Sequence, residues 1–570
     1  WASPGGGHGT ARRLRTGSRS DTRPKMHLVR SNRLERLVDA LGQDVATPPP
    51  SLAGTPAALV VPETIVVQSR GMEKWVSMEL ARRLGVWANP RFAFPRAVVG
   101  EALRLALGAD PDADRRWERD GLTWAVARAL PDHLDDPDFA ALKRYLAEPD
   151  PRERRLVQLA GRISYLFDQY VVYRPDMVLR WEAGDDAGVE ADDAWQPTLW
   201  RRLHADLGRG HFAHRVADFL DAAETWTAAP AGLPPRLSLF GVTTLPPVFL
   251  NVLAALSRFV PVRLYHPAPS DAWFADDRPL REILRQEQRE GKTADELHLE
   301  QGHPLLASMG RVARDFQFLL VDLQERTGVE VVELDEFVDP GDDTALHRLQ
   351  ADILRRDPRQ GAVLAAGDHS VQVHRCHGAM REVEVLRDHV LELLRTDETL
   401  RPRDIVVMMP DVEAYAPFVE AVFGVPESDP GYLPYRLADR SPRADNRVVE
   451  AFLGLLDVAR GRLGAPEVLD LLALAPVRDR FGIDADHVPV LREWTSASGI
   501  RWAEDATHRA SVGQPEDAGN TWRFGLDRLL LGFAMPDAAR GGGRLWQGTL
   551  PFPDMEGAEA ALMGRFVDAC

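Results

Sequence analysis

Cysteine is almost missing. Only Cys376 and Cys570 carry a thiol among 570 residues, too few for a disulfide framework or a four-thiolate zinc site, and such usage suits a reducing, cytoplasmic setting. Long apolar runs are missing too. The closest, Leu245 to Val262, is broken by Asn251, Ser257 and Arg258, whereas a membrane span needs about eighteen or more apolar residues in a row. A soluble protein without a membrane partner is expected. Lysine is scarce as well, at four of the 69 basic residues (Lys25, Lys74, Lys143, Lys292), a bias that points to GC-rich coding. Acidic groups outnumber basic ones, 86 to 69, for a net charge of −17. That balance excludes a sticky basic coat for nucleic acid but leaves room for a basic channel inside an acidic shell.

Catalytic motifs are also lacking. A nucleotide-driven motor needs a Gly-rich turn and a following lysine to hold the triphosphate. The nearest match is Gly291-Lys292-Thr293, where Gln286 stands in place of the required first glycine and the preceding stretch is charged and helical. It reads as a solvated loop. Two-metal phosphodiester hydrolysis needs carboxylates converging at strand ends, yet Asp185-Asp186, Asp192-Asp193 and Asp342-Asp343 sit in loop-like surroundings. His374 and His377 flank Cys376 without zinc-site spacing, and no G-x-S-x-G elbow occurs. No catalytic residue, metal ligand or cofactor is therefore assigned to the chain.

What is present is a globular composition, with 45% hydrophobic and 27% charged residues, in a chain long enough for about three to five domains. Residues 1–25 are Gly/Ser/Arg-rich and are expected to lie outside the fold as an extraneous or disordered tail. Two regions alternate short apolar runs with helical patterns, which announces parallel α/β layers. The first, residues 26–100 and 232–368, holds AALVVPETIVVQS ending near Ser69, a helix with Met72, Trp75, Val76, Leu80 and Leu84 at helical spacing, RLSLFGV (Arg236 to Val242), a helix from about Pro247, and PVRLYHP (Pro261 to Pro267). The second, residues 369–445, runs from VQVHRC (Val371 to Cys376) through REVEVLRDHVLELL to DIVVMMP (Asp404 to Pro410). Its Ile405 to Met409 run is continuously apolar, as a strand covered on both faces should be. Residues 101–231 and 446–570 are helical, and the last helix, with Leu562, Met563, Phe566 and Val567 on one face, is expected to be cut at Cys570. Two α/β layers, each followed by a helical insertion, match the plan of superfamily 1 helicases. That is an analogy of pattern.

Binding chemistry survives these exclusions. The segment Tyr165 to Asp176 interleaves Tyr170, Tyr173 and Arg174 with Asp168 and Gln169, a set able to stack on bases and bond their edges. An amphipathic helix with core aromatics has the same pattern.

Whole phrases carry a family resemblance: VQSRGMEKWVSMELARRLGVWAN (Val67 to Asn89), LFDQYVVYRPD (Leu166 to Asp176), WQPTLWRRL (Trp195 to Leu203), GLPPRLSLFGVTTLPPVFL (Gly232 to Leu250), HPLLASMGRVARDF (His303 to Phe316), CHGAMREVEVLRD (Cys376 to Asp388), RPRDIVVMMPDVEAYAPFVEAVFG (Arg401 to Gly424) and TWRFGLDRLLLGFAM (Thr521 to Met535). In this order they resemble the RecC family, the gamma subunits of RecBCD helicase–nucleases (exodeoxyribonuclease V), over their N-terminal half. The resemblance implies an α/β fold of two superfamily 1 helicase-like domains that have lost their ATP sites, each with a large helical insertion. It also implies a continuation with a nuclease-like domain lacking nuclease residues. RecB-like and RecD-like partners would use ATP and Mg2+, while this chain meets double-stranded ends, guides single strands and scans one for the Chi hotspot. The scanning residues carried over are Gln68, Arg70, Lys74, Phe94 and Gly100 from the first layer, and Tyr165, Leu166, Asp168, Arg174 and Arg215 from the insertion. Arg70, Lys74, Phe94, Gly100 and Tyr165 depart from the best-known pattern, so the sequence recognised is open. An autonomous ATP-dependent helicase is a competing reading. So is an AddB-type subunit, which would demand cysteines for an iron–sulfur cluster.

Overall fold

The first described element is the strand Lys25–Ser31 (β1), which takes Lys25 from the stretch set aside as a tail; the computed structural model describes residues 24–108, 115–147, 152–357, 365–438, 446–535, 545–553 and 559–570. Residues 1–23 lie outside the described residues, as do 439–445 of the expected second layer. The chain divides into two units, one through Gln372 and one from Val373.

In the first unit β1 leads through only Asn32 and Arg33 into α1 (Leu34–Val45), followed by β2 (Glu63–Val66), α2 (Arg70–Leu84), β3 (Pro90–Ala93) and α3 (Pro95–Leu107). After a helical excursion come β4 (Leu237–Phe240), α10 (Pro247–Leu256), β5 (Val262–Pro267), the helix Arg311–Thr327 (α11) and β6 (Glu330–Asp335). The six strands form one parallel sheet in the order β3-β2-β4-β5-β1-β6. Because side chains alternate across a strand, Met26, Leu28, Val66, Leu239 and Leu264 face α3, α10 and α11, while Val29, Ile65, Phe240 and Tyr265 face α1 and α2. Burial on both faces is what a parallel sheet requires. The expected α2 face is confirmed, with Val76 and Leu80 buried and Met72, Trp75 and Leu84 packed around them. The start of the AALVVPETIVVQS run is instead part of a 3-10 helix over Pro56–Leu59, with Val60 after it in solvent. Gly241, at φ 68°, turns the chain out of β4; a Cβ there would stand 3.1 Å from Met72 Cε.

The excursion is helical among the described residues: α4 (Arg119–Ala129), α5 (Ala140–Leu146), α6 (Arg152–Tyr173), α7 (Pro175–Glu182), α8 (Trp195–Leu207) and α9 (Phe212–Thr225). Its apolar interior, built on Ile163, Phe167, Trp200, Leu203 and Phe219, is continuous with that of the sheet.

The second unit departs from expectation. Among the described residues neither Val371 to Cys376 nor Ile405 to Met409 is paired in a sheet. Val373, Val406 and Met408 are 88%, 80% and 90% exposed, so the run is not covered on both faces. Only Ile405 and Met409 pack inward, against Val383, Val419 and Phe423 of the helices Ala379–Thr396 and Val412–Phe423. Sheet pairing is non-local, and an apolar run does not supply a neighbouring strand. The described residues of 446–570 are mainly helical and pack around Leu469, Leu491, Trp494, Trp522, Leu529 and Phe566. Among the described residues no helix is long and apolar enough to cross a membrane.

Candidate nucleic-acid interface

Parallel strands present their C-terminal ends along one edge of a sheet, and ligands gather there because the helix N-termini that follow turn toward the same side. Gln68 lies two residues beyond β2 and Phe94 one beyond β3, so these adjacent strands place both on that edge. Gln68 is exposed, and its Nε2 donates to the Thr244 carbonyl at 3.2 Å in the loop after β4. Ser69 caps α2, its hydroxyl accepting from the Met72 amide at 3.1 Å. Arg70 and Lys74 follow one turn apart, both exposed. Phe94 is 44% exposed immediately before Pro95.

An ion pair ties the insertion to this edge. Asp168, on α6, accepts both Arg96 guanidinium nitrogens, at 3.0 and 2.6 Å, from the first turn of α3. Its side chain is only 12% exposed, against 55% for Arg96. Hydrogen bonding to that carboxylate raises the Arg96 pKa further and holds the guanidinium charged. Arg96 also lies 6.0 Å over the Phe212 ring. One turn before Asp168, Tyr165 is half-exposed with the Arg119 guanidinium 5.2 Å above its ring, and Leu166 beside it is half-buried. Arg174 is exposed at the cap of α7, Gly100 is half-buried one turn beyond Arg96, and Arg215 is half-buried on α9.

Two readings of the Tyr165 to Asp176 segment therefore divide by residue. Tyr170 belongs to the core: its hydroxyl donates to Gln196 Oε1 at 2.9 Å and its ring meets Trp181 edge-on. Tyr165 and Tyr173 instead reach solvent, at 51% and 53% exposure, with Arg119 over one face of the Tyr165 ring. Arg96 was not singled out from the sequence. Its partner is 72 residues away, and nothing local marks it.

Nucleotide chemistry finds no cradle at the described strand ends. The two-residue β1–α1 connection, Asn32-Arg33, has no glycine and is too short to wrap a triphosphate. Gly291 is the left-handed C-cap of the helix Leu280–Glu290, and Thr293 is tied to Glu296, so Gly291-Lys292-Thr293 is an exposed post-helical loop. Of the acidic pairs, Asp186 is bound to Arg201 and Asp343 to His347.

The fold and this edge define a class: a parallel α/β unit with a large helical insertion at its strand ends, joined in one chain to a second, helical unit. Comparison with known families makes it specific. The model described as "RecC, N-terminal domain" matches residues 26–356, and that described as "RecBCD enzyme subunit RecC fourth domain" matches 445–570. The chain belongs to the RecC family. Proteins named "RecBCD enzyme subunit RecC" are 36% identical in Escherichia coli K12 (88% of this chain, 47% of the relative), 36% in Mycolicibacterium smegmatis (95% and 48%) and 31% in Haemophilus influenzae (88% and 48%). The chain thus spans about half the length of the curated relatives it matches.

Proposed function

We propose that this chain serves as the DNA-guiding, noncatalytic subunit of a RecBCD-type helicase–nuclease acting in double-strand break repair by homologous recombination. The observation that carries the reading is the strand-end edge itself. It holds no phosphate cradle among the described residues, yet it collects Gln68, Arg70, Lys74, Phe94 and the Asp168-bound Arg96, a mixture of bidentate donors, cations and an exposed ring. Such groups grip phosphate, read base edges and stack. The sheet is read as a helicase-like layer whose ATP site has been lost, with the insertion forming one wall of a single-strand channel. Tyr165, Leu166, Asp168, Arg174 and Arg215 belong to that wall, and hotspot scanning is its task. RecB-like and RecD-like partners supply ATP hydrolysis and cleavage with Mg2+, and the complex works in the cytoplasm on double-stranded ends and the strands released from them.

Asp168 acts on DNA through Arg96 in this scheme, because both carboxylate oxygens already accept guanidinium bonds. Copurification of the full-length protein with RecB-like and RecD-like subunits tests the proposal. A stable heterotrimer that binds duplex ends is expected, burying well over about 2,000 Å² as permanent complexes do. Absence of association, or tight ATP binding by this subunit alone, would refute it.

A further inference from the structure

Away from the strand-end edge, inside the helical insertion, three histidines and a glutamate converge. Glu182 ends α7, His204 lies in the last turn of α8, His211 is the cap of α9 and His214 sits in its first turn. One nitrogen or oxygen from each lies within 4.8 Å of all the others. Glu182 Oε1 stands 2.7 Å from His211 Nε2 and 3.6 Å from His204 Nδ1; Oε2 contacts His214 Nε2. The side chains of Glu182, His211 and His214 are 8%, 1% and 6% exposed, while His204, at 27%, leaves one way in.

Hydrogen bonds leave this cluster incomplete. Glu182 Oε1 also accepts from Trp200 Nε1 at 2.9 Å. His211 Nδ1 accepts a long 3.4 Å bond from the His214 amide, which assigns its proton to Nε2. His204 Nδ1 and His214 Nδ1 are buried without a hydrogen-bond partner, although buried polar atoms are nearly always satisfied. The adjacent cation Arg209 is neutralised by Asp218 at 2.9 Å. What the site offers is three imidazoles and one carboxylate, to which no Arg or Lys among the described residues is bound. Nitrogen and oxygen ligands in a set of four are what a structural zinc ion takes. In a tetrahedron with bonds of about 2.0–2.1 Å the ligand atoms stand about 3.3 Å apart, a spacing between the 2.7 and 3.6 Å separations seen around Glu182 Oε1.

We infer that Glu182, His204, His211 and His214 form a closed structural zinc site that staples α7, α8 and α9 together. Ligation through Nε2 of His211 and His214 puts each ring's proton on its Nδ1, so both imidazoles stay neutral and the long His211 Nδ1 cap is given up for a metal bond. Trp200 becomes the outer-sphere donor that orients Glu182. Its ring also meets Phe167 edge-on at 5.2 Å, so the staple braces α6 directly beside Leu166 and Asp168. The site had no obvious mark in the sequence: its spacing is His-x6-His-x2-His, with the glutamate 22 residues before the first histidine.

The test is metal analysis of the purified chain after exhaustive chelation and reloading with zinc sulfate alone, alongside thermal melting. Retention of one zinc ion per chain and a higher Tm on loading are expected. His204→Gln, at the most exposed ligand, should weaken zinc binding at least about tenfold, the lower end of what even outer-sphere losses cost, while His377→Gln should leave it unchanged. Should the substituted chain fail to fold, cobalt loaded into the unaltered protein must give the intense visible bands of a tetrahedral site. Sub-stoichiometric zinc with no cobalt bands, or loss of zinc in His377→Gln instead of His204→Gln, would overturn the assignment and leave a hydrogen-bonded network only.

Discussion

Replacing Asp168 with asparagine should tighten nonspecific single-strand binding rather than weaken it. The carboxylate neutralises Arg96 through two hydrogen bonds at 3.0 and 2.6 Å. Because Arg96 is 55% exposed, solvent screening limits the stability contribution of the pair to about 0.5–1 kcal/mol, so the fold should survive. What changes is the charge available to DNA. One freed guanidinium that engages one phosphate steepens the dependence of log K on log salt by about 0.7 for a single strand. Arg96→Ala should flatten the slope or leave it unchanged. In the double variant the Asp168→Asn effect should vanish, because the group it released is gone. Fluorescence anisotropy with a labelled oligonucleotide over a salt series reads all four proteins. Additivity of the two substitutions within about 0.3–0.5 kcal/mol would show that Asp168 does not act through Arg96, and would refute the positioning role.

Three further outcomes follow from the geometry. Buried His266, its ring Nδ1–H donating to the Val242 carbonyl 2.9 Å away, has its pKa lowered to about 4 by desolvation. The unfolded chain takes up that proton first, so the stabilisation is complete above pH 6.5 and is lost as pH falls toward 4, by roughly 3 kcal/mol in all; urea midpoints for His266→Asn should lose that part of the acid sensitivity, and an unchanged pH profile would contradict it. Arg236 is buried and holds Glu63 on two nitrogens as well as the Asp44 and Thr47 carbonyls, so Arg236→Ala should destabilise the sheet unit by about 3–5 kcal/mol, measured by denaturant titration; a loss under about 1 kcal/mol would mean the pair is solvated. Lys292→Ala, in the post-helical loop, should leave ATP hydrolysis by a reconstituted complex intact, and a large loss would restore that loop to nucleotide chemistry.

Helices were the most legible part of the chain because their signal is local. Val76 and Leu80 of α2, and Leu562, Met563 and Phe566 of the last helix, are buried where their spacing placed them. Strands were read where both faces are apolar, as at Leu237–Phe240 and Val262–Pro267, and missed where polar residues interrupt, as in β3 (PRFA) and β6 (EVVELD). Pairing was illegible altogether: Ile405 to Met409 has the composition of a buried strand but no strand neighbour among the described residues. The same limit applies to sites. Gln68 could be placed at a strand end from local pattern, Phe94 follows the missed β3 and was carried over only by the family resemblance, and Arg96 meets Asp168 and Glu182 meets His214 only because distant helices pack together.

Hotspot-dependent control of cleavage tests the channel most directly. In a complex reconstituted from the full-length protein with RecB-like and RecD-like subunits, Gln68→Ala combined with Arg174→Ala should preserve duplex unwinding while altering where, or whether, cleavage changes at the hotspot. Unwinding and hotspot response both identical to the unsubstituted complex would contradict a reading role for this edge.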